Sequence, residues 1–349
     1  MTTNKRGREV VRPTIDVIAR EAGVSTATVD RVLNGRPGVG ARTKAAVLFV
    51  AQGLGYLESN ETVAPFQKLK FDFILPTAKN QFIDLLGTEI EGQAKVRENL
   101  DVRVTRVEGI DPYLLAEKVR ALEGLTDGIG IIALDHPAVR EALRSVAIAG
   151  AKVVTIASDI SQVPRVAYIG IDNRAAGRLA GYLMHRFYKG TDPGKVALFS
   201  GSLSYRGHEE REMGFRHILA EDSPQLQIVE QLEMMDDPDQ AFEIARELLV
   251  RHGDLSAIYN VGAGNAGIAK AIKAMNLRRH VLLIGHDATE DTRALLLDGT
   301  LDAVIDQNPR VEAREALNAL EGAITGKYFE RHAPRLQVVF RENIPTEAN

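Results

Sequence analysis

The sequence predicts an α/β protein in which a small all-helical head precedes a two-lobed domain built from two doubly wound parallel sheets. Three observations predict this fold class. Two short amphipathic helices lie near the amino terminus, apolar strands alternate with longer helices from residue 69 onward, and the chain has 349 residues. About ten strands exceed what one sheet usually holds, so two similar lobes are expected.

The head is predicted from the segment TIDVIAREAGVSTATVDRVLNG, residues 14–35, which has the layout of a helix-turn-helix. Apolar residues recur at helical spacing on both sides of Gly23, which can adopt the positive φ of a tight turn. Ser25 is expected to cap the second helix by accepting a hydrogen bond from the amide near Thr28. A third helix is expected over about 41–54. The residues expected to face the first two helices are Val47, Leu48, Val50, Ala51 and Leu54.

The residues left on the outer surface of the head are candidates for contacts with base edges and phosphates. They are Thr14, Ser25, Thr26, Ala27, Thr28, Asp30, Arg31, Asn34 and Arg36. Residues 1–57 carry nine basic and four acidic side chains, a charge of +5, whereas the whole chain carries −4, so the remainder carries −9. A basic head on an acidic body indicates nucleic-acid binding confined to one end. The alternative is a surface helical hairpin that binds nothing.

Composition restricts the other classes of site. Cysteine is absent, which excludes disulfides and cysteine-ligated metal sites. The histidines show no metal-binding spacing, and we expect neither a metal nor a cofactor. Residues 1–12 are polar and basic, and no apolar run approaches membrane-spanning length. We therefore expect a soluble cytoplasmic protein with a disordered basic tail.

The two-lobed body is predicted from short apolar segments separated by helical stretches, a pattern that implies parallel sheets with helices on both faces. The strand candidates are 71–76, 101–107, 128–134, 152–157, 166–171, 195–200, 227–233, 257–261, 280–286 and 301–307. Helices are expected over 82–97, 175–187, 240–251 and 264–275, among others. Ligands of such folds bind where the carboxyl ends of the strands of both lobes face a common cleft.

One motif suggests a different function. Gly262, Gly264 and Gly267 form a G-x-G-x-x-G between a strand and a helix, and Asp287 follows the last glycine by 20 residues. This is the setting of a dinucleotide-binding fingerprint, so an NAD-dependent oxidoreductase is an alternative. Only one further strand candidate follows before the polar carboxyl terminus, and no acid–base pair has the spacing for hydride transfer. We therefore expect that the protein is not an enzyme and has no catalytic residues.

The head resembles a known family. The segment TATVDRVLNG, followed by a third helix that ends in LGY, is similar to the DNA-binding head of the LacI family of bacterial transcription regulators. The resemblance implies that the second helix reads the major groove and that Thr26, Ala27 and Arg31 contact bases. Asp30 departs from the family, which usually has serine there. Residues 58–65 lack the arginine and leucine of the family's hinge helix.

Residues 70–341 resemble the ribose-binding-protein type of periplasmic sugar-binding fold, which is also the effector domain of LacI-family regulators. AYIGIDNRAAGRLAGYLM is similar to the segment in which the family's chain crosses between lobes. Gly262–Ala263 replaces the family's Asn-Asp, so Asn260 or Asn265 is expected to supply that polar group. Ser158 and Asp159 are also expected to lie in the cleft, because they directly follow the fourth predicted strand. The expected effector-binding residues are Asn80, Phe82, Ser158, Asp159, Glu209, Arg211, Asn260, Asn265, Asp287 and Gln307.

The residue types in this set suit a polyhydroxylated ligand, because planar polar groups satisfy neighbouring hydroxyls while an aromatic ring covers the apolar face. The hypothesis is a dimeric, nucleoid-associated bacterial regulator, a repressor of carbohydrate or polyol genes, that binds a palindromic operator and is controlled by a sugar-like effector. The alternatives are the oxidoreductase and a sugar sensor without DNA output.

The expected domain boundaries follow from these assignments. They are 1–12 for the tail, 13–57 for the head, 58–69 for a linker or hinge, 70–341 for the effector domain and 342–349 for a terminal tail. Within the effector domain we expect one lobe over about 70–171 and 308–330, and the other over about 172–307 and 331–341.

Overall fold

The computed structural model describes residues 14–54, 56, 68–77, 79–190 and 192–345. The chain forms two compact units, Met1–Gln67 and Lys68–Asn349. The predictions for the basic tail, for residues 58–67 of the linker and for residues 346–349 lie outside the described residues. Within the described part of the chain, no helix is both long enough and apolar enough to cross a bilayer.

The first unit contains three helices, α1 (Ile15–Ala22), α2 (Thr26–Leu33) and α3 (Ala41–Gly53). Gly23 ends α1 in the left-handed region at φ 66°, as the turn required. The Ser25 hydroxyl caps α2 by accepting a hydrogen bond from the amide of Thr28 at 3.2 Å. Both local predictions are confirmed.

The helices of the head share a small apolar core. Its buried members are Ile18, Ala19, Val29, Val32, Val47 and Ala51. Leu48 and Val50 pack partly against this core. The prediction for Leu54 is wrong, since its side chain is 37% exposed. The physical reason is that α3 ends at Gly53, so helical spacing no longer directs the next side chain inward.

The second unit begins a regular alternation of strands and helices. Its strands are β1 (Leu69–Thr77), β2 (Leu100–Glu108), β3 (Gly128–Ile131), β4 (Lys152–Ile156), β5 (Ala167–Ile169), β6 (Gly194–Ser200), β7 (Leu226–Glu233), β8 (Leu255–Asn260), β9 (Leu282–His286), β10 (Ala303–Asp306) and β11 (Gln337–Val339). Its α-helices are α4 (Gln81–Lys95), α5 (Pro112–Arg120), α6 (Pro137–Ile148), α7 (Asn173–Phe187), α8 (Arg206–Asp222), α9 (Pro238–Arg251), α10 (Asn265–Ala274), α11 (Glu290–Leu297) and α12 (Pro309–Thr325).

The strands form two sheets, which confirms the predicted fold class. The first sheet has the order β2-β1-β3-β4-β5, and the second has the order β11-β10-β9-β8-β6-β7. All pairs are parallel except β10 with β11. This last strand was not predicted, because it is a three-residue edge strand in a polar segment and carries little apolar periodicity.

Each sheet is buried on both faces, as parallel sheets usually are. On β6, Ala197 and Phe199 face a core shared with α9, α10 and α11, whereas Val196 and Leu198 face a core shared with α7 and α8. The first sheet packs with α4, α5, α6 and α12 around a single apolar cluster. We call these assemblies the second lobe and the first lobe.

The chain crosses between the lobes three times. It passes from β5 to α7, from β10 to α12, and from α12 to β11. Each crossing lies beside the carboxyl ends of parallel strands or at the end of α12. The strand ends of both lobes therefore face one cleft, which is where ligands of such folds bind.

Candidate functional site

The outer surface of α2 is the candidate nucleic-acid interface. Thr26, Ala27 and Arg31 are exposed, and Thr28 is half-buried. Thr14 is exposed and directly precedes α1 without capping it through its side chain. The structure therefore leaves the predicted base-contacting side chains of α2 accessible on one short helix.

Asp30, the departure from the family pattern, is held within the head. Its carboxylate accepts a hydrogen bond from the Asn34 side-chain amide at 2.7 Å and another from the Arg36 guanidinium at 3.2 Å. The negative charge of Asp30 is thus opposed by Arg36 and used to order the residues that follow α2. This pairing offers an alternative to direct contact between Asp30 and DNA.

The second unit contains a cavity of about 400 Å³ between the strand ends of its two lobes. Of the ten predicted effector-binding residues, six line this cavity: Asn80, Phe82, Ser158, Arg211, Asp287 and Gln307. They come from both lobes. The topology therefore brings together side chains that are up to 227 positions apart in the sequence.

The other four predicted residues do not line the cavity. Glu209 is exposed on α8, because its position on the helix turns it away from the cleft. Asp159 accepts hydrogen bonds from Thr155 at 2.7 Å and from Arg165 at 2.6 Å.

Asn260 and Asn265 are likewise engaged within the second lobe. Asn260 donates to the side-chain oxygen of Asn265 at 2.9 Å and to the carbonyl of Ala263 at 2.8 Å. Asn265 in turn donates to the carbonyl of His286 at 3.3 Å. The two amides therefore shape the loop between β8 and α10.

Arg211 is the centre of a buried hydrogen-bond network. Its Nε donates to Asn173 at 2.7 Å, its Nη1 to the carbonyl of Val261 at 2.8 Å, and its Nη2 to Gln307 at 3.1 Å. The Gln307 amide then donates to Asp287 at 2.8 Å. Asn173 and Gln307 lie at two of the three crossings between the lobes. The network therefore connects the cavity to both of these crossings.

Asp287 has unusual electrostatics for a cavity-lining carboxyl group. Burial raises its pKa to about 7, although the Arg211 guanidinium opposes the shift. Its backbone lies in the left-handed region at φ 67°. Near neutral pH the protonated and ionised forms coexist. The protonated form can donate a hydrogen bond to a ligand hydroxyl, and the ionised form can accept one from it.

Further cavity-lining residues were not among the predicted binding residues. They include Lys79, Tyr205, His208, Met235 and Asp236. Asp236 comes shortly after β7, so the strand-end reasoning that selected Ser158 and Asp159 would have found it too. Burial is the main cause that lowers the pKa of His208, against the opposing effect of the Asp236 carboxylate, so its ring is neutral near pH 7.

Part of the cavity lining is apolar. Its apolar and aromatic side chains include Phe82, Ile83, Ile132, Tyr205 and Met235. A lining that combines apolar side chains with planar polar groups suits a ring with an apolar face and a hydroxylated edge.

Contacts bridge the cleft between the lobes. Lys79, just after β1, lies 2.6 Å from the Asp239 carboxylate and 3.5 Å from that of Asp237, both at the start of α9. The Ser158 hydroxyl accepts a hydrogen bond from the amide of Gly207 at 3.2 Å. The lobes are therefore held together by polar groups at the cleft itself.

The glycines of the G-x-G-x-x-G motif have packing roles. Gly264 precedes α10 at φ 87°, and a Cβ on Gly267 would overlap the carbonyl oxygen of Pro238. A Cβ on Gly262 would lie 2.6 Å from an oxygen of Asp236. Each position therefore has a steric or backbone reason for glycine that involves no nucleotide.

Comparison with family models covers both units. Residues 14–59 match the model described as bacterial regulatory proteins, lacI family. Residues 71–328 match the model described as periplasmic binding protein domain.

The individual relatives also fall into two groups, sugar-binding proteins and transcription regulators. The ribose import binding protein RbsB of Bacillus subtilis is 26% identical over 258 residues, covering 73% of this chain and 81% of the relative. The HTH-type transcriptional regulator MalR of Streptomyces coelicolor is 41% identical over 81 residues, 23% of each chain. The regulator reg1 of Streptomyces lividans is 62% identical over 39 residues, 11% of each chain.

Solved structures resemble the second unit. GanP, a glucose-galactose binding protein from Geobacillus stearothermophilus, superposes with a TM-score of 0.71 at 25% identity, covering 80% of this chain and 99% of that chain. A solute-binding protein from Burkholderia graminis in complex with D-arabinose shares the fold, with a TM-score of 0.74 at 22% identity over 81% of this chain and 99% of that one. The chain therefore belongs to the lacI family of bacterial regulatory proteins, as a DNA-binding transcription regulator whose second unit is a periplasmic binding protein domain.

Proposed function

We propose that this regulator is a repressor of genes for carbohydrate or polyol use and acts in the bacterial cytoplasm. It binds a palindromic operator as a homodimer, and a sugar bound in the cleft controls its affinity for that operator. The observation that carries the proposal is the cleft cavity, whose lining combines planar polar side chains from both lobes with apolar and aromatic side chains.

The chemistry of the cavity supports a neutral sugar. Asn80, Arg211, Asp287 and Gln307 offer donors and acceptors in planar groups, which satisfy vicinal hydroxyls in pairs. Phe82 also lines the cavity, where its ring can cover the apolar face of a sugar. The relatives whose names mention ribose, glucose-galactose and D-arabinose support the same ligand class.

The head supports the output side of the proposal. A recognition helix contacts bases with exposed side chains from its first turns, and a symmetric dimer would place two such helices on a palindromic site. Arg31 is the exposed cation of α2, so it is the best residue for a substitution that tests DNA binding.

The experiment combines two measurements on the full chain. Operators are selected from random palindromes, and their affinity is measured by fluorescence anisotropy for wild type, Arg31→Ala and Arg246→Ala. Arg31→Ala should weaken binding by roughly ten- to a hundredfold, which corresponds to about 1–3 kcal/mol. Arg246→Ala, which removes an exposed arginine from α9 in the second unit, should leave affinity unchanged.

The same proteins are then heated with a panel of sugars and polyols. A true effector at 100 times its dissociation constant should stabilise all three equally, by about 2.7 kcal/mol. It should also change operator affinity of the wild type, and a hundredfold change needs only about 2.7 kcal/mol of coupling. Sugar binding without any salt-sensitive DNA binding would contradict the proposal and indicate a sensor. Stabilisation by NAD alone would indicate the oxidoreductase.

A further inference from the structure

The loop between β8 and α10 contributes only Gly262 and Ala263 to the cavity lining, so it presents no polar side chain there. Asn260 and Asn265, which were expected to compensate, hydrogen-bond to each other and to backbone carbonyls. The polar group at this position of the cleft has to come from a different segment.

Asp236 occupies the space that the two glycines leave open. A Cβ on Gly262 would lie 2.6 Å from Asp236 Oδ1, and a Cβ on Gly201 would overlap the same carboxylate. The Asp236 Oδ1 atom accepts a hydrogen bond from the amide of Ala263 at 2.9 Å. The loop after β7 therefore places its carboxylate against the loop after β8, and small residues at 201 and 262 make room for it.

The second oxygen of this carboxylate is available to a ligand. The Asp236 side chain lines the cavity, and the residue is 9% exposed. Its Oδ2 has a long contact of 3.5 Å with the Asn80 amide from the other lobe. Met235 and Asp236 are both in the left-handed region, at φ 54° each, so the turn that aims the carboxylate is an uncommon one that the surrounding packing maintains.

The charges that face the cavity also matter for ligand choice. Its lining includes the carboxyl groups of Glu108, Asp236, Asp237 and Asp287. The cations of the lining are Lys79, which is paired with Asp237 and Asp239, and Arg211, which is engaged by three oxygen acceptors. A ligand with its own negative charge would be repelled at the Asp236 side of the cavity.

We propose that Asp236 is a specificity-determining residue of the cleft, where its carboxylate accepts hydrogen bonds from hydroxyls of a neutral sugar and disfavours the phosphorylated form of that sugar. This assignment rests on the proposed sugar-binding function. It adds that the loop after β7, and not the loop after β8, supplies the carboxylate at this point of the cleft, with Gly201 and Gly262 providing the space.

The test begins with the sugar that stabilises the wild type most among D-ribose, D-allose, D-galactose, D-glucose, D-xylose, D-arabinose, D-fructose, D-fucose and myo-inositol. Its affinity and that of its monophosphate are measured by calorimetry for wild type, Asp236→Asn and Asp222→Asn. Asparagine tolerates positive φ and can still accept from the Ala263 amide, so the Asp236→Asn variant should fold normally. Asp222→Asn is the matched control, because Asp222 is exposed at the end of α8 and lies outside the cavity lining.

Asp236→Asn should weaken binding of the neutral sugar by roughly ten- to a hundredfold, as expected for loss of hydrogen bonds to a charged acceptor. The ratio between the affinities for the neutral sugar and for its monophosphate should also decrease. A purely structural role of Asp236 would leave this ratio unchanged. Asp222→Asn should change neither the affinity nor the preference. Unchanged affinity and unchanged preference in Asp236→Asn would overturn the assignment while leaving sugar binding intact.

Two further variants test whether the side chains at positions 236 and 262 compete for the same space. Gly262→Asn alone should lower the melting temperature, because its side chain overlaps Asp236. Adding Asp236→Gly should restore stability and change the order in which the sugars bind. Equal melting temperatures of the single and double variants would contradict the shared space. If the wild type binds no sugar of the panel, the proposed function and this assignment both fall.

Discussion

Glu312 is a buried carboxyl group in the first turn of α12, next to the crossing from β10. It is fully buried, and neither of its oxygens has a hydrogen-bond partner among the described residues. Burial raises its pKa well above the ordinary value, and the Asp287 carboxyl group adds to the shift while Arg211 opposes it. Burial thus favours the protonated side chain, which avoids an unpaired buried charge.

Replacing Glu312 should change how stability depends on pH. Because the folded-state pKa of Glu312 is raised, its contribution is fully present below the ordinary pKa of about 4.5 and is lost as pH rises toward the folded value. Glu312→Gln should therefore lose less stability than wild type between pH 5 and 8. The two stability curves should diverge as pH rises, because each unit by which folding raises the pKa corresponds to about 1.4 kcal/mol.

Urea unfolding at several pH values measures this difference. Glu98→Gln is the control, because Glu98 is an exposed residue that follows α4. The control should follow the wild-type curve. Parallel curves for Glu312→Gln and wild type would show that Glu312 does not hold its proton in the folded state.

At the scale of elements, the close approach of α7 and α8 positions the centre of the cavity network. A Cβ on Gly177 would overlap the carbonyl oxygen of Arg211, and a Cβ on Gly214 would overlap that of Arg174. Glycine at these two positions lets the helix backbones meet. Arg211 thereby reaches Asn173, Val261 and Gln307 from α8.

Gly177→Ala should therefore lower both stability and sugar affinity. Overpacking of a close contact costs about 1–3 kcal/mol, and separation of the helices would displace Arg211 from its three acceptors. Gly92→Ala is the control, because Gly92 is exposed in α4 with open space around its missing Cβ. That change should stabilise the protein by about 0.5–1 kcal/mol through helix propensity. Thermal unfolding with and without sugar measures both effects, and equal stability of Gly177→Ala and wild type would contradict the close-approach argument.

At the scale of the whole molecule, ligand binding and lobe closure share the same polar groups. Lys79 joins the first lobe to Asp237 and Asp239 of the second at the cleft. Asn173 and Gln307 connect Arg211 to two crossings between the lobes. Sugar binding can therefore favour one relative position of the lobes through differential contacts, which is the requirement for a ligand-controlled switch.

Lys79→Met should weaken sugar binding at low salt by removing the ion pairs across the cleft. The effect should be modest, because the pair is solvent-exposed, and it should shrink as salt screens the wild-type contact. Lys273→Met is the control, since Lys273 pairs with Asp298 within one lobe at 2.6 Å. Calorimetric titration at two ionic strengths separates the variants. A loss that persists at high salt would mean that Lys79 contacts the sugar itself and not only the opposite lobe.

Much of the fold was predictable because its signals are local. The turn at Gly23 and the cap at Ser25 depend on atoms within a few residues, and the ten predicted strands show their apolar character within single segments. The edge strand β11 escaped prediction because it is short and gains its hydrogen bonds from β10. Leu54 was misassigned because the end of α3 was placed one residue too late.

The sequence by itself determined the helical head and the alternation of strands and helices that forms the two lobes, since periodicity and chain order suffice for these. The resemblance to sugar-binding proteins selected Asn80, Asp287 and Gln307 near the strand ends. Only the tertiary structure decided which polar side chains face the cavity. Asp159 turns to Arg165, whereas Asp236 enters the space beside Gly201 and Gly262. The physical reason is that the direction of a side chain at a strand end depends on the partners and free space offered by segments far away in the sequence.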